Sequence, residues 1–177
     1  MRLPRVSVIV PARNEEQNIV AALSSLAALQ YDDLEVIVVD DLSTDRTAEL
    51  AKVFMQAYTG NAHMRLLTAP SDPPLGWVGK TFAVDYAITR STGDIILVCD
   101  ADVTHTPQSL HAVVKYFQTH RLDLLSLLPH LDIRSWGEYP MLFQTFLLYT
   151  SSRVARALGS RQSFGMGTYF MFTRDFY

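Results

Sequence analysis

Asp100 and Asp102 stand one residue apart in CDAD, directly after the apolar run IILVC. Two carboxylates separated by one small residue can hold a hard divalent cation, magnesium or manganese, that also takes diphosphate oxygens. Such a cation neutralises the charge that develops on a departing phosphate. A second acidic pair, Asp40 and Asp41, ends the run EVIVVDD, and Pro11, Arg13, Asn14 and Glu15 follow VSVIV. Taken singly, a loop acid is usually a solvated residue or a helix cap. Acids at three corresponding strand ends are harder to explain that way.

The residues need a scaffold that brings those ends together. Residues 6–10, 34–39, 64–68 and 94–99 are β-branched apolar runs without a polar face, as strands covered on both sides should be. Helical segments are predicted over 16–29, 45–58 and 80–91, with another after Pro107. The alternation implies an α/β fold, a Rossmann-like, mainly parallel sheet with helices on both faces, whose ligands gather at the carboxyl ends of the strands. DLLSLLP and GTYFMFT are expected to add later strands. Pro11 is expected to stop the first strand's ladder, Asn14 to cap the first helix, and Ser43 or Thr44 to cap the second. In PPLGWVGKTFAV, Gly76 and Gly79 allow close backbone approach and Lys80 opens a helix, where it can meet a diphosphate.

The remaining composition narrows the classes. With 177 residues, 49% of them apolar, the chain suits one domain with a sizeable core. A net charge of −3 gives no electrostatic footprint for nucleic acid. Cys99 is the lone cysteine, which excludes an internal disulfide or a cysteine zinc site, makes it a packing residue and fits a reducing compartment. None of His63, His105, His111, His120 and His130 has a partner at metal-ligand spacing. No signal-peptide apolar region follows Met1, so a cytoplasmic location is expected.

Four blocks, VSVIVPARNEEQNI, EVIVVDDLSTDRT, GWVGKTFAVDYAI and GDIILVCDADV, resemble in order and spacing the family 2 glycosyltransferases, enzymes with the GT-A fold. The third block is similar to the hopanoid-associated and carotenoid-type branch. The resemblance implies transfer of a sugar, with inversion, from a nucleotide-diphosphate donor, a UDP-sugar, to an acceptor hydroxyl, with Mn2+ or Mg2+ as cofactor. It implies that Pro11 and Glu15 contact the nucleobase, with Arg13 where many relatives carry tyrosine. Asp41 matches the carboxylate that accepts the uracil ring proton and Asp40 its supporting neighbour. Asp102 matches the direct metal ligand, and Asp100 the acid that reaches the ribose or the metal's surroundings. Lys80 is placed at the diphosphate or nucleotide, and residues 43–47 are read as structural. In the family the general base follows a Gly-Gly segment just beyond the position of Tyr177, so no base is assigned; Asp175 better resembles a turn residue. The 177 residues are therefore expected to form a single GT-A domain lacking the acceptor-side portion.

Two other nucleotide classes fit less well. A nucleotidyltransferase would want a glycine-rich loop after the first strand, where PARNEE has no glycine, and a dehydrogenase would want G-x-G-x-x-G. A donor-binding module without turnover stays open. YPMLFQTFLLYTSSRVAR, too short to span a bilayer, reads either as a buried helix or as a segment lying in the membrane interface with Arg153 and Arg156 toward anionic headgroups. The second reading brings a lipid or isoprenoid acceptor and peripheral association with the inner face of the cell membrane.

Overall fold

The four apolar runs form strands β1 (Val6–Ala12), β2 (Leu34–Asp40), β3 (His63–Thr68) and β4 (Ile95–Cys99), of which β3 is a half-buried edge strand rather than one covered on both sides, and the two later runs supply β5 (Leu124–Ser126) and β6 (Tyr169–Thr173). This computed structural model describes residues 3–71, 73–128, 130, 136, 139–159 and 167–177, with all side chains of 139–159 except those of 141 and 142. Pro129, the last residue of the DLLSLLP run, lies outside the described residues. The strand order is β3-β2-β1-β4-β6-β5. β1 pairs parallel with β2 and β4, β2 pairs parallel with β3, and β6 pairs antiparallel with both β4 and β5.

Helices α1 (Ile19–Ala27), α2 (Thr47–Ala57), α3 (Gly79–Ile88) and α4 (Ser109–Thr119) follow the first four strands, and α5 (Tyr139–Ala157) lies between β5 and β6. Side chains alternate across the strands, so the two faces carry separate cores. Val8, Val10, Val36, Val38 and Leu97 pack with Leu23 and Leu26 of α1, Ala51 of α2 and Phe117 of α4. Ile9, Ile37, Val39 and Ile96 pack on the other face with Ala83, Ala87 and Ile88 of α3.

Several boundaries differ from the sequence expectation. Pro11 does not stop β1, which pairs with β2 through Pro11↔Val39 and Ala12↔Asp40. The Ala12 carbonyl accepts from the Asp41 N–H, so the alternate residue Pro11 turns toward β4, where the ladder has already ended at Ile9↔Val98. Its missing donor therefore costs nothing there. Asn14 does not cap α1: it sits at φ 57°, in the left-handed region that asparagine tolerates, and the helix begins only after Asn18. Neither Ser43 nor Thr44 caps α2; the Asp45 Oδ1 accepts from the Thr47 N–H at 2.9 Å. Asp175 does fall in a turn, the short 3-10 segment Arg174–Phe176.

Candidate active site

Because β1, β2 and β4 are adjacent and parallel, their carboxyl ends open on one cleft of about 410 Å3. Pro11, Arg13 and Glu15 line it from the first loop, Asp41 from the second, Lys80 from the start of α3, and Asp100 and Asp102 from the end of β4. Ala12, Val78, Gly79 and Ala101 form its low walls. Asp40 is not among the lining residues. It is buried at the end of β2, its carbonyl accepts from the Ala69 N–H at 2.9 Å, and its Oδ1 has no partner among the described residues.

The first loop is fixed by the second. The Asn14 N–H donates to the Ser43 Oγ (3.1 Å), the Glu15 N–H to the Thr47 Oγ1 (2.7 Å) and the Glu16 N–H to the Asp45 Oδ2 (3.1 Å), while the Thr44 N–H donates back to the Asn14 Oδ1 (2.9 Å). Ser, Thr, Asn and Asp side chains here satisfy backbone groups that no helix or ladder would. Residues 43–47 thus clasp the loop that carries Arg13 and Glu15.

Asp41 is the buried acid of the cleft, 5% exposed. Its Oδ2 faces the Arg13 Nη1 at 3.6 Å, an ion pair too long for a hydrogen bond, and its Oδ1 has no partner among the described residues. Gly79 makes room for it: a Cβ there would lie 3.0 Å from the Asp41 Oδ2. Gly76, by contrast, serves the turn itself, at φ 92°. The Lys80 Nζ pairs with the Asp100 Oδ1. Asp102 is exposed, and the two acids flank the buried Ala101 in a turn closed by the Val103 N–H on the Asp100 carbonyl (3.3 Å).

Neighbouring titratable groups are silent. Burial and then the Asp100 charge push the Cys99 thiol up to about 12, so it stays protonated. Burial holds the His105 imidazole below its ordinary value and favours its neutral form. Among the described residues no three His, Cys, Asp or Glu side chains group to hold a metal ion. The hard oxygens of Asp100 and Asp102 suit a divalent cation, and these two residues would hold it.

Sequence reasoning missed both ion pairs and the loop clasp. The small, polar composition of LSTDRT was the available signal for the clasp, and it read as helix capping instead.

A mainly parallel sheet offers its ligand sites at the carboxyl ends of its strands, which is where the acids and Lys80 of this cleft stand. Residues 7–177 match the profile described as Glycosyl transferase family 2, and the chain belongs to that family, with the GT-A fold that the four sequence blocks implied. It is 37% identical over 114 residues to the probable glycosyltransferase YdaM of Bacillus subtilis, covering 63% of this chain and 26% of that protein. It is 30% identical over 171 residues to a 4,4'-diaponeurosporenoate glycosyltransferase of Staphylococcus haemolyticus, covering 90% of this chain and 42% of that one. Among solved structures, the mannosyltransferase PcManGT of Pyrobaculum calidifontis, in complex with GDP-Man and Mn2+, superposes with a TM-score of 0.72 at 27% identity. That match covers 98% of this chain and 45% of the other. The chain thus spans less than half the length of each of these relatives.

Proposed function

We propose that this chain provides the donor-handling side of an inverting, metal-dependent glycosyltransferase, which moves a sugar from a UDP-sugar to a hydroxyl on a lipid or isoprenoid acceptor. The observation that carries the donor reading is the idle Oδ1 of buried Asp41, set in a cleft that also holds Lys80, Asp100 and Asp102. A buried acceptor without a partner is costly unless a ligand supplies the donor. Arg13 faces Oδ2 as an ion pair at 3.6 Å without a hydrogen bond, and Oδ1 is the buried acceptor with no partner among the described residues. Uracil offers one ring N–H between two carbonyls, and the Arg13 guanidinium can donate to either carbonyl.

In this reading Pro11 and Glu15 form the wall against which the base lies, Asp40 backs Asp41 from behind the cleft, and Lys80 moves from Asp100 to the diphosphate. Asp102 and Asp100 hold Mn2+ or Mg2+, which supplies charge neutralisation for the departing diphosphate. PcManGT is described with GDP-Man and Mn2+, which supports both the metal and the donor class. It also favours a second reading, a GDP-sugar donor, in which guanine would take both Asp41 oxygens and displace Arg13. The relative named for 4,4'-diaponeurosporenoate supports an apolar acceptor.

Calorimetric titration with UDP and GDP, each with Mn2+ and with chelator, separates these readings. UDP is expected to bind more tightly with Mn2+ than with chelator, and more tightly than GDP under either condition. A GDP preference would replace the uracil assignment, and binding indifferent to Mn2+ would remove the metal from the site.

A further inference from the structure

Helix α5 is turned inside out. Tyr139, Phe143, Phe146, Leu147 and Val154 recur at helical spacing on one side, and all are about half exposed or more, with Phe143 at 63% and Phe146 at 61%. The less exposed positions, Thr145, Thr150, Ser152 and Ala155, are small or polar, and exposed Leu148 and Tyr149 widen the apolar surface beyond the stripe. The apolar stripe therefore faces outward, against the buried-helix alternative of the two readings of this segment.

Three further features say what covers the stripe. Residues 139–157 contain no acidic side chain, and the two arginines, Arg153 and Arg156, both lie in the carboxyl-terminal part. Arg153 is drawn along the helix, donating to the Tyr149 Oη at 3.2 Å with its guanidinium 5.9 Å from that ring's centroid. Ahead of the helix, Trp136 is 89% exposed and its ring lies 5.3 Å from that of Tyr139. An apolar stripe with flanking arginines and an exposed Trp–Tyr pair matches the chemistry of an anionic bilayer surface, apolar inside, wet and negative at the headgroups. Among the described residues no helix is long and apolar enough to cross a membrane. At 19 residues, α5 is about 28 Å long, enough to lie along the interface.

We infer that α5 is a membrane-docking surface, seated by its Tyr139–Phe143–Phe146–Leu147–Val154 stripe in the interface of an anionic lipid bilayer with Arg153 and Arg156 at the headgroups. The assignment rests on the lipid-acceptor reading for its purpose but not for its test. Sedimentation with vesicles of phosphatidylcholine alone or mixed with phosphatidylglycerol, without nucleotide or metal, leaves the donor site out of the result. The full chain is expected to bind the anionic vesicles in preference, and to be released by salt. Phe143→Ser with Phe146→Ser should weaken that binding at least about tenfold. Arg153→Glu with Arg156→Glu should remove about tenfold or more of the anionic preference. These side chains are exposed, so the melting temperature should not move, which separates lost docking from lost folding. In a Trp77→Phe background, brominated lipid should quench Trp136. Equal recovery with both vesicle types, binding retained by the serine variant, or unquenched Trp136 would overturn the assignment. A lipid-free dimer abolished by the serine substitutions would overturn it too, because the stripe would then be covered by a second copy.

Discussion

A buried acid stands near the start of strand β2 and another just past its end, and they are treated in opposite ways. Glu35, 1% exposed near its start, accepts from the Ser7 Oγ at 2.5 Å, the Thr92 N–H at 2.8 Å, the Thr92 Oγ1 at 3.2 Å and the Arg65 Nη2 at 2.8 Å. Ser7 in turn accepts from the Gly93 N–H at 2.8 Å, and Arg65 donates to the Arg90 carbonyl at 2.7 Å. That saturated carboxylate ties β1, β3 and the connection before β4 together at the amino edge. Asp41, one residue past the other end, is just as buried but has an idle oxygen beside an ion pair of 3.6 Å. Burial alone therefore does not tell a structural acid from a functional one. Saturation together with a place in the cleft does: a buried polar group fully paired within the chain has no capacity left for a ligand, and Asp40, whose Oδ1 is also without a partner among the described residues, does not line the cleft.

The largest test breaks the saturated end. Glu35→Ala strands the Arg65 guanidinium, the Ser7 hydroxyl and the Thr92 N–H, and should cost about 3–5 kcal/mol of stability in denaturant unfolding. Nucleotide affinity of the protein that remains folded should not change. The same carboxylate gives a pH signature. Burial pushes Glu35 upward, but the hydrogen bonds from Ser7 and Thr92 and the Arg65 charge outweigh it, holding the group below its ordinary 4.5. A depressed carboxyl contributes its stability in full above the unfolded pKa and loses it as pH falls through the folded one. Wild-type stability should thus fall below about pH 4.5, and Glu35→Gln should flatten that part of the profile, as denaturant melts at successive pH values would show.

The cleft should behave the other way, losing function without stability. Asp102→Ala should erase the metal-dependent gain in UDP affinity and lower transfer by about 100- to 1,000-fold, as loss of a group aimed at developing charge does. Because Asp102 is exposed, stability should stay within about 0.5 kcal/mol. A mutant that kept the metal-dependent gain would deny Asp102 its ligand role. Asp41→Ala should weaken UDP by about 1–3 kcal/mol, with or without metal. It should leave stability equal or higher, since it removes a buried oxygen that nothing satisfies. Destabilisation without lost affinity would place Asp41 in the same class as Glu35.

The strands were legible because a parallel sheet buried on both faces needs uninterrupted apolar runs, and VSVIV, EVIVV and IILVC have no polar face. Asp41, Asp100 and Asp102 come together because β1, β2 and β4 are neighbours, an order that the apolar runs themselves do not contain. The helix starts were not legible. Asn14, Ser43 and Thr44 carry capping chemistry, but here they satisfy one another's loops across 29 and 30 residues of sequence, and local preference cannot show so distant a partner. Asp40 and Asp41 look equivalent in VVDD, yet the pleat sends only Asp41 to the cleft. The choice between a buried and an outward-facing α5 was left undecided for a simpler reason: periodicity shows that a helix has an apolar side, not which way that side faces.

The smallest effect is also the most selective for the idle acid. Gly79 is the first residue of α3, and a Cβ there would stand 3.0 Å from the Asp41 Oδ2 and 3.8 Å from the Arg13 Nη1. Its φ is not in the left-handed region, so alanine faces no backbone penalty and should leave stability within about 0.5 kcal/mol. At 3.0 Å, however, the carboxylate must give by a few tenths of an ångström, and the Arg13 pair moves with it. Gly79→Ala is therefore expected to weaken UDP by only about two- to fivefold, equally with Mn2+ and with chelator, because Asp100 and Asp102 are undisturbed. The decisive measurement is the double mutant. If the methyl group acts through Asp41, Gly79→Ala should cost nothing further once Asp41 is alanine. An equal loss in both backgrounds would mean that the start of α3 meets the nucleotide directly, and the distinction between the saturated Glu35 and the idle Asp41 would no longer account for binding.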